Sequence, residues 1–132
     1  MQDLYLRAAY SATTENVTIN VRPLYLEQES DPLQHKFVFA YFIRIENHGQ
    51  VPVQLMRRHW FINHAGGRVE EVEGEGVVGK QPLIQPGKCH EYNSFCVLEA
   101  FEGSMEGTYL MQRGNDYFRA VIPKFILRAA AN

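Results

Sequence analysis

The sequence predicts an all-β fold, a sandwich of two antiparallel sheets with seven to eight strands. Apolar and polar residues alternate with a period of two over several short segments, the pattern of half-buried strands. Turn signals rich in Gly, Pro and Asn separate these segments at intervals of roughly 8–12 residues, as in sandwiches. A length of 132 residues fits one domain with a sizeable core.

The predicted strands follow one another along most of the chain. Residues 1–12 are expected to form a flexible arm, and a single domain is expected over 13–128. The strand segments, in order, are NVTINVRPLYL (16–26), KFVFAYFIRIEN (36–47), VPVQLMRRHWFIN (51–63), RVEEVE (68–73), CHEYNSFCVL (89–98), TYLMQR (108–113) and FRAVIPKFIL (118–127).

Composition and charge narrow the function classes. The formal net charge is −2, with 45% hydrophobic and 21% charged residues, so we expect no nucleic acid partner, which requires a basic excess. No apolar run reaches the roughly 20 residues of a membrane span, and no signal peptide is recognisable, so we expect no membrane partner and a cytoplasmic location. Cys89 and Cys96 differ in strand parity and are predicted to be free thiols on opposite faces.

A G-x-G-x-x-G spacing at Gly74, Gly76 and Gly79 raises the question of a phosphate site. In dinucleotide-binding folds these glycines lead into a helix whose N-terminus faces the phosphates. Here two prolines follow within eight residues, so a helix is not expected. We interpret the glycines as turn residues. The alternative is an anion nest of backbone N–H groups with Lys80, binding pyrophosphate or a nucleotide.

A divalent cation site is the second ligand hypothesis. Glu71, Glu73 and Glu75 share one face of a predicted strand, and are most simply a solvated face. The turn after His64 could bring its imidazole to Glu71 or Glu73, a donor set that suits a borderline divalent cation. No resident cofactor is otherwise expected.

A surplus of apolar residues is the main sign of a protein partner. On the strand 36–47 both faces are apolar, since Val38 and Phe42 alternate with the core residues. One face fills the core, and the other needs a partner, a second copy, or a cover such as the arm or loop 23–35. Arg57 and Arg58 would supply a polar rim, and Met105 an adaptable contact.

Several ordered motifs resemble the bacterial ApaG family. They are VFAY (38–41), RHW (58–60), GRVEEVEGEGVVGKQPLIQPG (67–87), GSMEGTY (103–109) and IPKFIL (122–127). The resemblance covers about residues 15–127 and implies a fibronectin type III- or immunoglobulin-like sandwich. It further implies a link to cobalt and magnesium homeostasis and a role in binding proteins, as expected for this domain inside eukaryotic F-box adaptors and a polymerase-interacting protein.

The expected function is therefore that of a noncatalytic protein-interaction module. No nucleophile elbow and no P-loop occur, so the chain is not expected to be an enzyme. The partner is an unidentified protein, and homo-oligomerisation is open. The alternative is a small-ligand module that binds a divalent cation, pyrophosphate or a nucleotide at the Gly-rich loop.

Overall fold

The computed structural model describes residues 10–129 and shows two facing antiparallel sheets. One has the strand order β1-β2-β3-β7, and the other has the order β5-β4-β8-β9 with β6 also paired to β4. The strands are β1 (Tyr10–Thr14), β2 (Val17–Tyr25), β3 (Phe37–Asn47), β4 (Val53–His64), β5 (Val69–Glu75), β6 (Leu83–Ile84), β7 (Cys89–Leu98), β8 (Glu102–Arg113) and β9 (Asp116–Arg128). The predicted all-β sandwich is confirmed; the two strands that the sequence did not indicate are β1 and the short β6.

The first strand begins within the expected arm. Tyr10–Thr14 pairs with β2, so the predicted boundary at residues 12 and 13 falls inside a strand, while 1–9 lie outside the described residues. The Tyr10 and Thr14 hydroxyls accept hydrogen bonds from the N–H groups of Ile126 and Val121, at 3.2 and 3.1 Å. These bonds join β1 to β9 and close one side of the sandwich.

The core lies between the sheets and follows from strand alternation. Trp60 is buried at its centre, with ring centroids 5.5 Å from Tyr41 and 5.9 Å from Phe125. Aromatic pairs at such separations add to the stabilisation gained from buried area. On β3 the inward residues alternate as the sequence predicts; they are Phe37, Phe39, Tyr41, Ile43 and Ile45.

A bulge in β4 lets apolar residues of both parities on this strand face the core. The register of β4 against β8 shifts between Leu55 and Arg57, which leaves Met56 as the extra residue. A bulge inserts one residue and reverses the parity of the inward face. Leu55 and Trp60 therefore both lie in the core, although simple alternation would place them on opposite faces. Leu55 and Trp60 are consequently both accounted for by the core, without a partner.

The described residues include no α-helix, only two short 3₁₀ turns at Glu27–Glu29 and Pro32–Gln34. No helix in this part of the chain has the length and apolar character needed to cross a membrane.

Candidate functional site

The Gly-rich segment forms a tight corner between β5 and β6. Val77 and Lys80 exchange backbone hydrogen bonds of 2.8 and 3.0 Å around a two-residue turn. Both turn residues, Val78 and Gly79, have positive φ, 47° and 76°, as in the primed turns that suit hairpins. The next element is strand β6. The prediction that the glycines turn an extended chain is confirmed for Gly76 and Gly79, whereas Gly74 lies within β5.

The other two glycines make room for neighbouring groups. A Cβ on Gly74 would lie 3.0 Å from the Arg58 guanidinium, and one on Gly76 would lie 2.2 Å from the carbonyl oxygen of Lys80. The N–H groups of Gly76, Val77 and Lys80 already donate to protein carbonyls. Because these amides are engaged, the corner offers few donors for the expected anion nest, although Lys80 itself is exposed.

Val78 sits in a conformation that β-branched residues rarely adopt. Its φ is +47° and its side chain is 64% exposed, so little packing compensates for the strain. We expect Val78→Asn to stabilise the fold by about 1 kcal/mol, because Asn tolerates the left-handed region. Urea denaturation measures the change. Val121→Asn, at an exposed position within β9, is the control and should give no stabilisation.

Arg58, on the inner side of β4, stabilises this corner through hydrogen bonds. Its Nη1 donates to the carbonyl oxygens of Glu75 and Gly76, at 2.9 and 3.0 Å. A guanidinium tied to two backbone carbonyls fixes the end of β5. Arg58 was expected in the polar rim of an interaction surface; the structure assigns it to the corner instead.

Buried phenols lie next to Arg58. The hydroxyls of Tyr92 and Tyr109 hydrogen bond to each other across the two sheets, and Tyr41 lies in the same cluster. Burial raises the pKa of all three phenols, because the interior disfavours a phenolate. The cluster is therefore neutral at physiological pH and serves to join the sheets.

The structure does not bring His64 to the two predicted carboxylate ligands, Glu71 and Glu73. His64 is buried on the inner face, with its Nε2 3.2 Å from Glu70 Oε1. Glu71 and Glu73 are paired with Phe61 and His59, on the outer face. Because side chains alternate along β4 and β5, His64 cannot join these two carboxylates. The prediction for His64 is wrong.

His59 takes the place that His64 was expected to fill. Its Nε2 lies 2.7 Å from Glu71 Oε2, and ligand atoms of His59, Glu71 and Glu73 all lie within 4.8 Å of one another. Within residues 10–129 this is the one group of three such side chains. One imidazole and two carboxylates are a donor set suited to a borderline or hard divalent cation. The register between β4 and β5 places His59 beside these carboxylates, and this register cannot be read from the sequence.

The two cysteines lie as predicted. Both are free, Cys89 exposed and Cys96 buried. Burial, together with a smaller effect of the Glu70 charge, raises the pKa of the Cys96 thiol to about 12. The nucleophilic form of cysteine is the thiolate, so Cys96 is inert at neutral pH.

The five residues expected at an interaction surface do not share one. Met105 is only 1% exposed and packs in the core, because its strand parity places it inward opposite Ile62; this prediction is wrong. Arg57 is exposed on the sheet that contains β4, whereas Val38 and Phe42 lie on the outer face of the other sheet.

Val38 is also less accessible than expected. It is buried, and the segment after β2 runs beside it: Leu26 N–H donates to the Val38 carbonyl at 2.8 Å, and Val38 N–H donates to Ser30 Oγ at 2.9 Å. The loop that the sequence offered as a cover thus lies next to this residue. Phe42 remains half-buried.

The exposed apolar side chains of this sheet lie on β7. Phe95 is 62% exposed and Val97 is 49% exposed. The register places Phe95 opposite Ala40 and Val97 opposite Val38, so their side chains continue the apolar outer face of β3. We call the set Val38, Ala40, Phe42, Phe95 and Val97 the β7 face. Sequence reasoning identified the strand but not these two residues, although their alternation with buried Cys96 and Leu98 was a usable signal.

Comparison with known proteins places the chain in a family. The ApaG domain profile matches residues 27–113. Proteins named Protein ApaG from Pseudomonas aeruginosa and Paramagnetospirillum magneticum are 50% and 47% identical over 119 residues, which cover 89% of this chain and 94% and 92% of those proteins.

Solved structures agree with this match. A crystal structure described as an ApaA protein of Bordetella pertussis aligns with a TM-score of 0.84 and 44% identity, covering 88% of this chain and 95% of that one. A protein from Archaeoglobus fulgidus, 11% identical with a TM-score of 0.55, shares the fold alone. The motifs, the sandwich and the relatives lead to one conclusion: the chain belongs to the ApaG family.

Proposed function

We propose that this ApaG-family chain is a noncatalytic module that binds another protein through the β7 face. The observation that carries the proposal is the exposure of Phe95 and Val97 beside apolar neighbours on β3. Val38 and Ala40 are themselves buried, so the accessible part of the face is the apolar patch of Phe95 and Val97, and exposed apolar patches mark interaction sites. The outer face of β9 also exposes Tyr117 and Val121, but Arg119 lies between them and interrupts that surface.

The buried reactive groups support a noncatalytic role. Cys96 is held as a neutral thiol and the three clustered phenols as neutral hydroxyls. From the resemblance we further propose a cytoplasmic location and a part in cobalt and magnesium homeostasis that is exercised through the bound partner.

Charge introduced on the β7 face should abolish partner binding. We expect Phe95→Lys with Val97→Lys to reduce capture of the partner from native lysate at least tenfold, because burying each unpaired ammonium costs several kcal/mol. Quantitative mass spectrometry of the captured proteins measures the loss. Val121→Lys is a matched control, since Val121 and Val97 are 48% and 49% exposed.

Two results would contradict the proposal. One is that the double variant and the Val121→Lys control capture the same proteins in equal amounts. The other is that the wild-type chain captures no protein in a larger amount than a denatured chain does. Light scattering of the purified chain shows in parallel whether a second copy occupies the face.

A second candidate function is the binding of a divalent cation, favoured by the convergence of His59, Glu71 and Glu73. If a cation binds, these side chains would hold it on the outer face. We expect Co²⁺ to raise the thermal midpoint and to produce a d–d absorption band, both lost in His59→Ala. His48→Ala is the control, because the His48–Glu46 pair, 2.9 Å apart, belongs to no such group of three. Unchanged spectra on addition of Co²⁺ would end this candidate.

A further inference from the structure

Strand β7 lies at an open edge of its sheet. It pairs with β3 from Cys89 to Leu98 and with no other strand among residues 10–129. The register against β3 is continuous, with no bulge. An open edge presents a row of backbone N–H and C=O groups that can pair with another chain.

The register identifies the backbone groups that point outward. Asn47 N–H donates to the Lys88 carbonyl at 3.0 Å, so even-numbered positions of this segment bond to β3. In an antiparallel ladder the odd-numbered positions then direct their N–H and C=O groups away from β3. Phe95 and Val97 are such positions. The residues whose side chains are exposed on the β7 face therefore also carry the outward backbone groups.

Other strand edges carry protective features that β7 lacks. Strand β5 has four glutamates within seven residues, and charge of one sign discourages pairing with another strand. The N–H groups of Val121 and Ile126 on β9 are bonded to hydroxyls of β1. By contrast, the segment from Tyr92 to Leu98 contains no charged residue and no proline.

The acidic strand β5 lies across the opening from β7. Arg68, just before β5, pairs with Glu99, just after β7, at 3.2 Å. The carboxylate of Glu70 also acts on Cys96, in the middle of β7. A strand added beside β7 would therefore lie near Glu70, whose carboxylate favours a basic side chain on the inner side of that strand.

We propose that the open edge of β7 is a docking site for an extended segment of a partner protein, which adds to the sheet as a further strand. Its backbone pairs with Phe95 and Val97, its outward side chains are apolar, and its inward side chains are basic. This is a known mode of peptide recognition. The inference rests on the proposed function and specifies the conformation and chemistry of the partner.

The experiment uses a synthetic peptide of alternating valine and lysine as the probe. Amide hydrogen exchange is followed by NMR for Phe95 and Val97, whose outward N–H groups should exchange rapidly in the unbound chain. We expect the peptide to slow exchange of both amides at least tenfold. A peptide of the same sequence, N-methylated at alternate residues, should give no protection because it lacks the pairing donors. A valine–glutamate peptide should bind at least tenfold more weakly.

Several results would overturn the inference. They are slow exchange of both amides in the unbound chain, equal binding of the N-methylated peptide, and no binding of the valine–lysine peptide at about 1 mM. If both amides exchange slowly in the unbound chain, exchange faster on dilution, and light scattering shows dimers, then a second copy of the chain occupies the edge and the inference is overturned. If a captured partner depends on Phe95 and Val97 yet leaves both amides unprotected, this inference fails and the proposed function stands. If no partner is captured, the proposed function fails.

Discussion

Replacing Gly76 by alanine is expected to destabilise the fold by about 3 kcal/mol or more. The new Cβ would lie 2.2 Å from the Lys80 carbonyl oxygen, an atom of the backbone, at a residue whose φ is +62°. The left-handed conformation costs an L-residue about 1 kcal/mol, and the steric overlap adds roughly 1–3 kcal/mol. Urea denaturation at neutral pH measures the loss.

Gly79→Ala is the matched control. Gly79 also has positive φ, 76°, but no atom beyond its two chain neighbours lies within 4 Å of its Cβ position, so we expect a loss of only about 1 kcal/mol. Equal losses at the two positions would contradict the described corner.

Wild-type chain with added pyrophosphate should show no shift in its thermal midpoint, whereas a ligand at a hundredfold its Kd would add about 2.7 kcal/mol of stability.

Alkaline pH should unfold the chain cooperatively. Burial raises the pKa of four groups, Tyr41, Tyr92, Tyr109 and Cys96, above their ordinary values of 10.0 for tyrosine and 9.0 for cysteine. At a pH above the ordinary pKa values, these groups lose their protons in the unfolded chain but keep them in the folded chain. The free energy of unfolding therefore falls as pH rises, and the stabilisation is fully present only below about pH 9.

The expected effect is large because the four groups act together. Each contributes up to about 1.4 kcal/mol per pH unit, or about 5.5 kcal/mol per pH unit for all four. A domain typically has about 5–15 kcal/mol of stability, so we expect unfolding within about three pH units above pH 10. Urea denaturation at a series of pH values measures the slope, and ultraviolet absorbance follows tyrosinate formation. Tyr92→Phe removes one titrating group, so it should lower the slope of unfolding free energy against pH by about 1.4 kcal/mol per pH unit. A free energy of unfolding that stays constant from pH 8 to pH 11 would contradict the buried cluster.

Much of the fold could be predicted because its signals are local. The alternation in β3, the opposite parity of Cys89 and Cys96, and the turn at Gly79 each depend on a few neighbouring residues. Alternation fixes which face a side chain takes once a strand is recognised. These features needed no knowledge of which strands are neighbours.

The site could not be predicted because it depends on register between distant strands. The bulge at Met56 changes which apolar residues of β4 face inward. The pairing of β4 with β5 places His59, rather than His64, beside Glu71. Likewise, the position of β7 at an open sheet edge follows from topology. Period-two patterns do not encode any of these relations.

Site-specific photo-crosslinking in cells most directly tests the assignment of protein binding to the β7 face. A benzophenone side chain at position 95 is compared with one at position 117, since Phe95 and Tyr117 are 62% and 58% exposed on the outer faces of opposite sheets. We expect a discrete adduct with another protein from position 95 and none from position 117. Equal adducts from both positions, dimers of the chain alone, or no adduct from position 95 would contradict the assignment.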